Sequence, residues 1–134
     1  MSVTIDGTRI HDISSFYAEL NRVFMQGVEW QLGESLDALN DLLHGGYGAL
    51  ADADEATVVW IDMERNREAL GVDATRAWLE AKLGNPGFDQ QGVRAQLAEL
   101  EEGGGPTYFD IILDIFASHP NITLVAAGVP EETS

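Results

Sequence analysis

Three β-prone runs lie far apart in the chain, at residues 2–5, 57–61 and 122–127, and each interval between them is long enough for helices. Strands spaced this way pair in parallel through helical crossovers, since a tight hairpin joins only neighbours in sequence. The chain is therefore read as α/β, with a three-stranded, mostly parallel sheet packed with helices. The middle run, Thr57-Val58-Val59-Trp60-Ile61, is apolar and β-prone throughout, the pattern of a strand covered on both faces. With 134 residues, 45% of them hydrophobic, the chain suits one domain around one core. Residues 1–128 are taken as that domain, with 71–105 as an inserted helical module and 129–134 as a flexible tail.

The intervals carry helical periodicity. Phe16, Leu20, Val23 and Phe24 fall on one stripe after Ser14 or Ser15 as N-cap, and Gly27 ends that helix. Ser35 caps a second helix whose buried side is Leu36, Leu39, Leu42 and Leu43, closed by Gly45-Gly46. Residues 64–70 suit one or two helical turns. In the inserted module Asp73 is a cap for a helix bearing Trp78, Leu79 and Leu83, and Asp89 for one bearing Val93, Leu97 and Leu100. Thr107 caps the last helix, where Phe109, Ile112, Leu113 and Phe116 form the apolar face. Near the N-terminus, Asp6-Gly7 is a turn signal, and residues 8–10 complete a hairpin on local pattern alone.

Charge narrows the function. Seven basic against 23 acidic residues leave a net −16, which repels nucleic acid and anionic lipid and favours a cationic partner. No Lys or Arg stands between Arg22 and Arg65, a stretch holding Glu29, Glu34, Asp37, Asp41, Asp52, Asp54 and Glu55. None follows Arg94 either, although Glu99, Glu101, Glu102, Asp110 and Asp114 do. Acidity for solubility alone tends to intersperse both signs, so two unmixed segments point to a one-signed surface. There is no cysteine, hence no disulfide or thiol chemistry. No apolar run reaches membrane-spanning length, and Met1-Ser2-Val3-Thr4-Ile5-Asp6 lacks the basic and apolar parts of a signal peptide. A cytoplasmic protein is expected.

Asp37 and Asp41 stand at i and i+4 on the second helix, opposite its leucines, without a nearby cation. Like charges so placed cost a helix about 0.2–0.5 kcal/mol. Asp110 and Asp114 repeat the arrangement on the last helix. A solvated polar face accounts for one such pair. Two pairs on helices that the fold can bring side by side fit a patch whose counter-charges arrive on another molecule.

The string Gly33-Glu34-Ser35-Leu36-Asp37-Ala38-Leu39-Asn40-Asp41, followed by a Gly-ended helix at His44-Gly45, resembles the barstar family of intracellular ribonuclease inhibitors. Ile5-Asp6-Gly7, the helix at 14–24, the strand at 57–61 and the closing helix and strand resemble the family's remaining elements. The likeness leaves out residues 71–104 and the tail. It implies that the second helix and its preceding loop enter the active site of a basic, guanyl-specific ribonuclease, in a 1:1 complex. Asp41 would then take the place of the RNA phosphate, Asp37 would pair at the rim, and Asp110 would add negative charge. The implied contact set is Trp30, Gly33, Ser35, Asp37, Ala38, Asn40, Asp41, His44, Gly45, Tyr47 and Asp110. Asn40 replaces a family Trp, and Gln31-Leu32 replaces two tyrosines; Trp30 and Tyr47 are the aromatic residues nearest to hand. Such a protein is an antitoxin or immunity protein.

Other classes fit less well. Paired carboxylates serve as acid and base in glycosidases, but neighbours on one short helix are badly placed to flank a bond. Asp37, Asp41 and His44 share a helix face suited to a divalent metal, yet no further ligand accompanies them. His11 and His119 read as helix-end or loop residues. No phosphate-binding Gly loop and no nucleophile elbow is present. An inhibitor without enzymatic activity, cofactor or metal is the reading taken; an acidic adaptor that docks a basic protein without inhibiting it is the alternative.

Overall fold

In the computed structural model, which describes residues 2–45, 48–51 and 54–128, the strands β1 (Ser2–Asp6), β2 (Ala56–Ile61) and β3 (Ile122–Ala127) form one sheet in the order β1-β2-β3. Both pairings are parallel, with Val3 beside Val58 beside Leu124 and Ile5 beside Trp60 beside Ala126. Between them run α1 (Ile13–Phe24), α2 (Leu36–His44), α3 (Met63–Ala69), α4 (Val72–Glu80), α5 (Gln90–Glu101) and α6 (Tyr108–Ala117). The expected α/β class and three-stranded sheet are both present.

Only one face of the sheet is roofed by helices. Val3, Ile5, Val58 and Trp60 point into the core, whereas Thr57, Val59 and Ile61 are half-buried on the opposite face. The apolar run at 57–61 is thus covered on one side, against the expectation of two. Its outer residues are β-branched, and their propensity for extended backbone accounts for them without a second layer. The core centres on Trp60, which packs against Phe16, Phe109 and Phe116 and donates its Nε1–H to Asn66 Oδ1 at 2.7 Å. A buried hydroxyl pair, Tyr17 and Tyr108 at 2.6 Å, joins α1 to α6, and burial raises the Tyr17 pKa far above its ordinary value.

The hairpin does not form. After β1 the chain makes a 3-10 turn, Gly7–Arg9, tucked against the end of β2. A Cβ at residue 7 would overlap the Ile61 carbonyl oxygen, so only glycine permits the approach. The cap of α1 is Asp12 and not a serine: its carboxylate accepts from the Ser15 amide while Ser15 Oγ accepts from the Asp12 amide, a reciprocal box in which Ser15 is the third helical residue. Ser35 and Thr107 cap α2 and α6 as anticipated.

Gly71 caps α4 in place of Asp73, with Thr75 Oγ donating to the Gly71 carbonyl; Asp73 pairs with Arg76. That helix stops at Glu80, so Leu83 lies beyond it and is exposed. Together α4 and α5 enclose a second, small apolar cluster of Leu79, Val93 and Leu100, with Trp78 and Leu97 at its edge. Trp78 meets Tyr108 edge-on and so links the two clusters.

Candidate functional site on helix α2

Apolar spacing orients α2. Leu39, Leu42 and Leu43 are fully buried, and Leu36 and Ala38 pack half-buried against the same core. Ser35 in extended conformation accepts the Ala38 amide at 3.1 Å, and Gly45, at φ 82, ends the helix with its N–H on the Leu42 carbonyl. Since 3.6 residues make a turn, burying the leucines obliges Asp37 and Asp41 to project outward together. Both are exposed, and among the described residues neither has a hydrogen-bond or ion-pair partner. Asp37 lies in the first turn, where the helix dipole favours a carboxylate; Asp41, a turn later, lacks that support.

Five of the seven Lys and Arg residues are engaged elsewhere. Arg9, Arg22, Arg65, Arg67 and Arg76 each pair with the acid three residues before them, respectively Asp6, Glu19, Asp62, Glu64 and Asp73. Apart from Arg22–Glu19, whose carboxylate is buried, these are surface pairs that add little stability. Their effect is to keep the positive charge local and leave α2 unneutralised.

The remaining residues of the expected contact set divide. Gly33, Ser35 and His44 are exposed with the aspartates, and Trp30 is 50% exposed on the loop before the helix. Ala38, Asn40 and Gly45 are half-buried. Asn40 is turned towards the end of α6, where its Oδ1 lies 2.8 Å from His119 Nε2. The His119 ring in turn meets that of His44 edge-on at 4.7 Å between centroids. Burial, and then the proximity of His44, hold His119 below its ordinary pKa. Tyr47 lies outside the described residues.

Asp110 has different surroundings. Its carboxylate is drawn into the cap of α6, accepting the Thr107 amide at 3.0 Å, and it lines a cleft of about 400 Å³ with Arg67, Gly71, Val72 and Thr107. The Arg67 guanidinium, held by Glu64, feels the charge of Asp110. The expectation of an Asp110 without any basic neighbour is corrected accordingly: Arg67 comes from α3, too far in sequence for helical spacing to foresee. Asp114 is exposed and, among the described residues, unpaired. As expected, α2 and α6 pack side by side. Asp37, Asp41 and His44 do not gather as a metal site; among the described residues no three His, Asp or Glu groups do.

Sequence periodicity did not single out Asn21, on α1. Its side chain takes both backbone groups of Leu32, in the loop leading to α2. A polar residue beside the apolar positions 20, 23 and 24 was the available signal, but its partner is set by the loop's path.

A parallel three-stranded sheet with an acidic helix packed beside α6 agrees with one comparison in particular. The family model described as Barstar (barnase inhibitor) matches residues 1–84. The chain belongs to the Barstar family. No curated protein matches it. The Barstar match spans β1, α1, α2, β2, α3 and α4, and so includes α2 with both aspartates. It also includes α4, which the resemblance read from sequence had left out, and it ends before α5, α6 and β3. Among the described residues no helix is long and apolar enough to cross a membrane.

Proposed function

We propose that the chain inhibits a basic, guanyl-specific ribonuclease of the barnase kind by laying α2 into its active site, in a 1:1 complex and without catalysis. The observation that carries the reading is the pair Asp37 and Asp41, projecting together from a Barstar-family helix with no cation against them among the described residues. In the complex Asp41 occupies the place of an RNA phosphate, where Arg, Lys or His side chains donate charge-assisted hydrogen bonds. Asp37 meets the rim of the same pocket, and Trp30, Gly33, Ser35 and His44 flank them. Asn40, where the resemblance expects Trp, offers a smaller surface, so specificity for the partner falls more heavily on charge. Such an inhibitor protects the cytoplasm of a cell that makes, or meets, the nuclease. The α4–α5 pair closes a small apolar cluster of its own beside the main core.

The test is RNA cleavage by barnase in the presence of the chain. Inhibition is expected. Asp41→Ala leaves the nuclease's cations buried without a partner, a loss of about 3–5 kcal/mol, or roughly 10²- to 4 × 10³-fold in affinity. Asp110→Ala costs less, because that carboxylate already serves the α6 cap and lies near Arg67. Full inhibition by Asp41→Ala would place the binding surface elsewhere. Binding without loss of nuclease activity would make the chain an adaptor.

A further inference from the structure

Residues 26–35 contain neither helix nor strand, yet they carry Trp30 and Gly33 and determine where α2 begins. Leu32, 6% exposed, drops into the main core. Burial of one apolar side chain fixes a position but leaves the peptide planes around it free to turn. Asn21 supplies the orientation: its Oδ1 accepts the Leu32 N–H at 2.7 Å, and its Nδ2 donates to the Leu32 carbonyl at 3.5 Å. Two turns earlier on the same stripe of α1, Ser14 Oγ donates to Glu34 Oε1 at 2.7 Å. One face of α1 therefore holds the loop at two points, with Asn21 taking both backbone groups of a single residue.

We propose that Asn21 is a positioning residue, setting the shape of the loop before α2 ahead of the partner's arrival so that capture does not wait on loop ordering. The consequence for binding rests on the ribonuclease reading; the loop conformation itself does not. A partner that fits only the ordered loop binds with an affinity reduced by the fraction of molecules in which the loop is disordered. Because the bound complex is the same in either case, the change falls on association. The geometry is particular to this site, since an apolar residue at position 21 would leave the Leu32 amide without an acceptor.

Amide hydrogen exchange on the free protein decides the first half. In Asn21→Ala the Leu32 amide should exchange about 10-fold faster, the scale of one net hydrogen bond, while the β2 amides of Val58 and Trp60 stay as they were. Asn21→Asp, which keeps the acceptor for the Leu32 N–H, should restore most of the protection. Unchanged exchange at Leu32 overturns the proposal. So does a uniform rise that includes β2, because that marks global destabilisation. With barnase as probe, the alanine variant should associate more slowly and dissociate at the original rate; slower association is what a merely structural contact would not produce. If the original chain fails to inhibit barnase at all, the ribonuclease reading falls, and exchange at Leu32 still decides whether Asn21 presets the loop.

Discussion

Asn66 shows how much one polar side chain can hold. It is fully buried on α3, accepts from Trp60 Nε1, and donates to the carbonyls of Gly7 at 3.0 Å and Ile10 at 3.4 Å. The turn at 7–10 and β2 are therefore joined through one carboxamide on α3. Asn66→Leu has similar volume but orphans the buried indole N–H, at about 1–3 kcal/mol, while the Gly7 carbonyl keeps the Ile10 amide. A loss of about 2 kcal/mol in urea unfolding is expected; a loss below about 1 kcal/mol would show that water replaces the carboxamide. Glu19 has a comparable position on α1. It is 2% exposed, accepts the Asp6 amide at 2.7 Å, and is matched by both ends of the Arg22 guanidinium, so the buried carboxylate keeps its counter-charge within reach.

At the scale of elements, α2 is held by its leucines on one side and by the α2–α6 junction at its C-terminal end. There Asn40, His44 and His119 meet, and the packed groups prefer His119 neutral. The charged residues on the two helices are Asp37 and Asp41 on α2 and Asp110 and Asp114 on α6; the depression of the His119 pKa comes from burial and His44. The unfolded chain takes up the proton first as pH falls. This contribution to stability is therefore complete above the ordinary value of 6.5 and is lost as pH falls through it toward the lower folded-state value. His119→Gln preserves a group able to bond Asn40 and removes the titration. The variant's urea midpoint should vary less between about pH 7 and pH 5 than that of the original chain. An unaltered slope would locate the pH sensitivity elsewhere.

At the scale of the whole molecule, charge and fold act together. The net −16 would be diffuse if the arginines spread over the surface, but five of the six are bound to acids three residues upstream. The base-free stretch from Arg22 to Arg65 contains all of α2, and among the described residues no cation pairs with Asp37 or Asp41. A negative field of this kind accelerates encounter with a basic partner by about 10–10³-fold at low salt. On the ribonuclease reading, the association rate with barnase should fall at least about 10-fold between roughly 10 and 150 mM salt, as the Debye length shrinks from about 30 to about 8 Å. The dissociation rate should change little. A salt-independent association rate would mean that shape, and not charge, guides the encounter.

The sequence by itself determined what depends on short spacing. Leucines at 36, 39, 42 and 43 dictate both the existence of α2 and the outward direction of Asp37 and Asp41, because a helix allows no other arrangement once its apolar side is buried. Ser35, Gly45 and Thr107 mark helix ends for equally local reasons, and the wide separation of three β-prone runs forced parallel pairing. Tertiary structure alone decided which distant groups meet. Arg67 comes to line one cleft with Asp110, Asn21 bonds Leu32, and His119 bonds Asn40, all between elements that no periodicity relates. The failed hairpin has the same cause: Asp6-Gly7 is a turn signal on local pattern, but β2 offers β1 a full parallel ladder with Trp60 beneath it, and burial outweighs a short hairpin's few bonds. Where a residue points was local; what it touches was not.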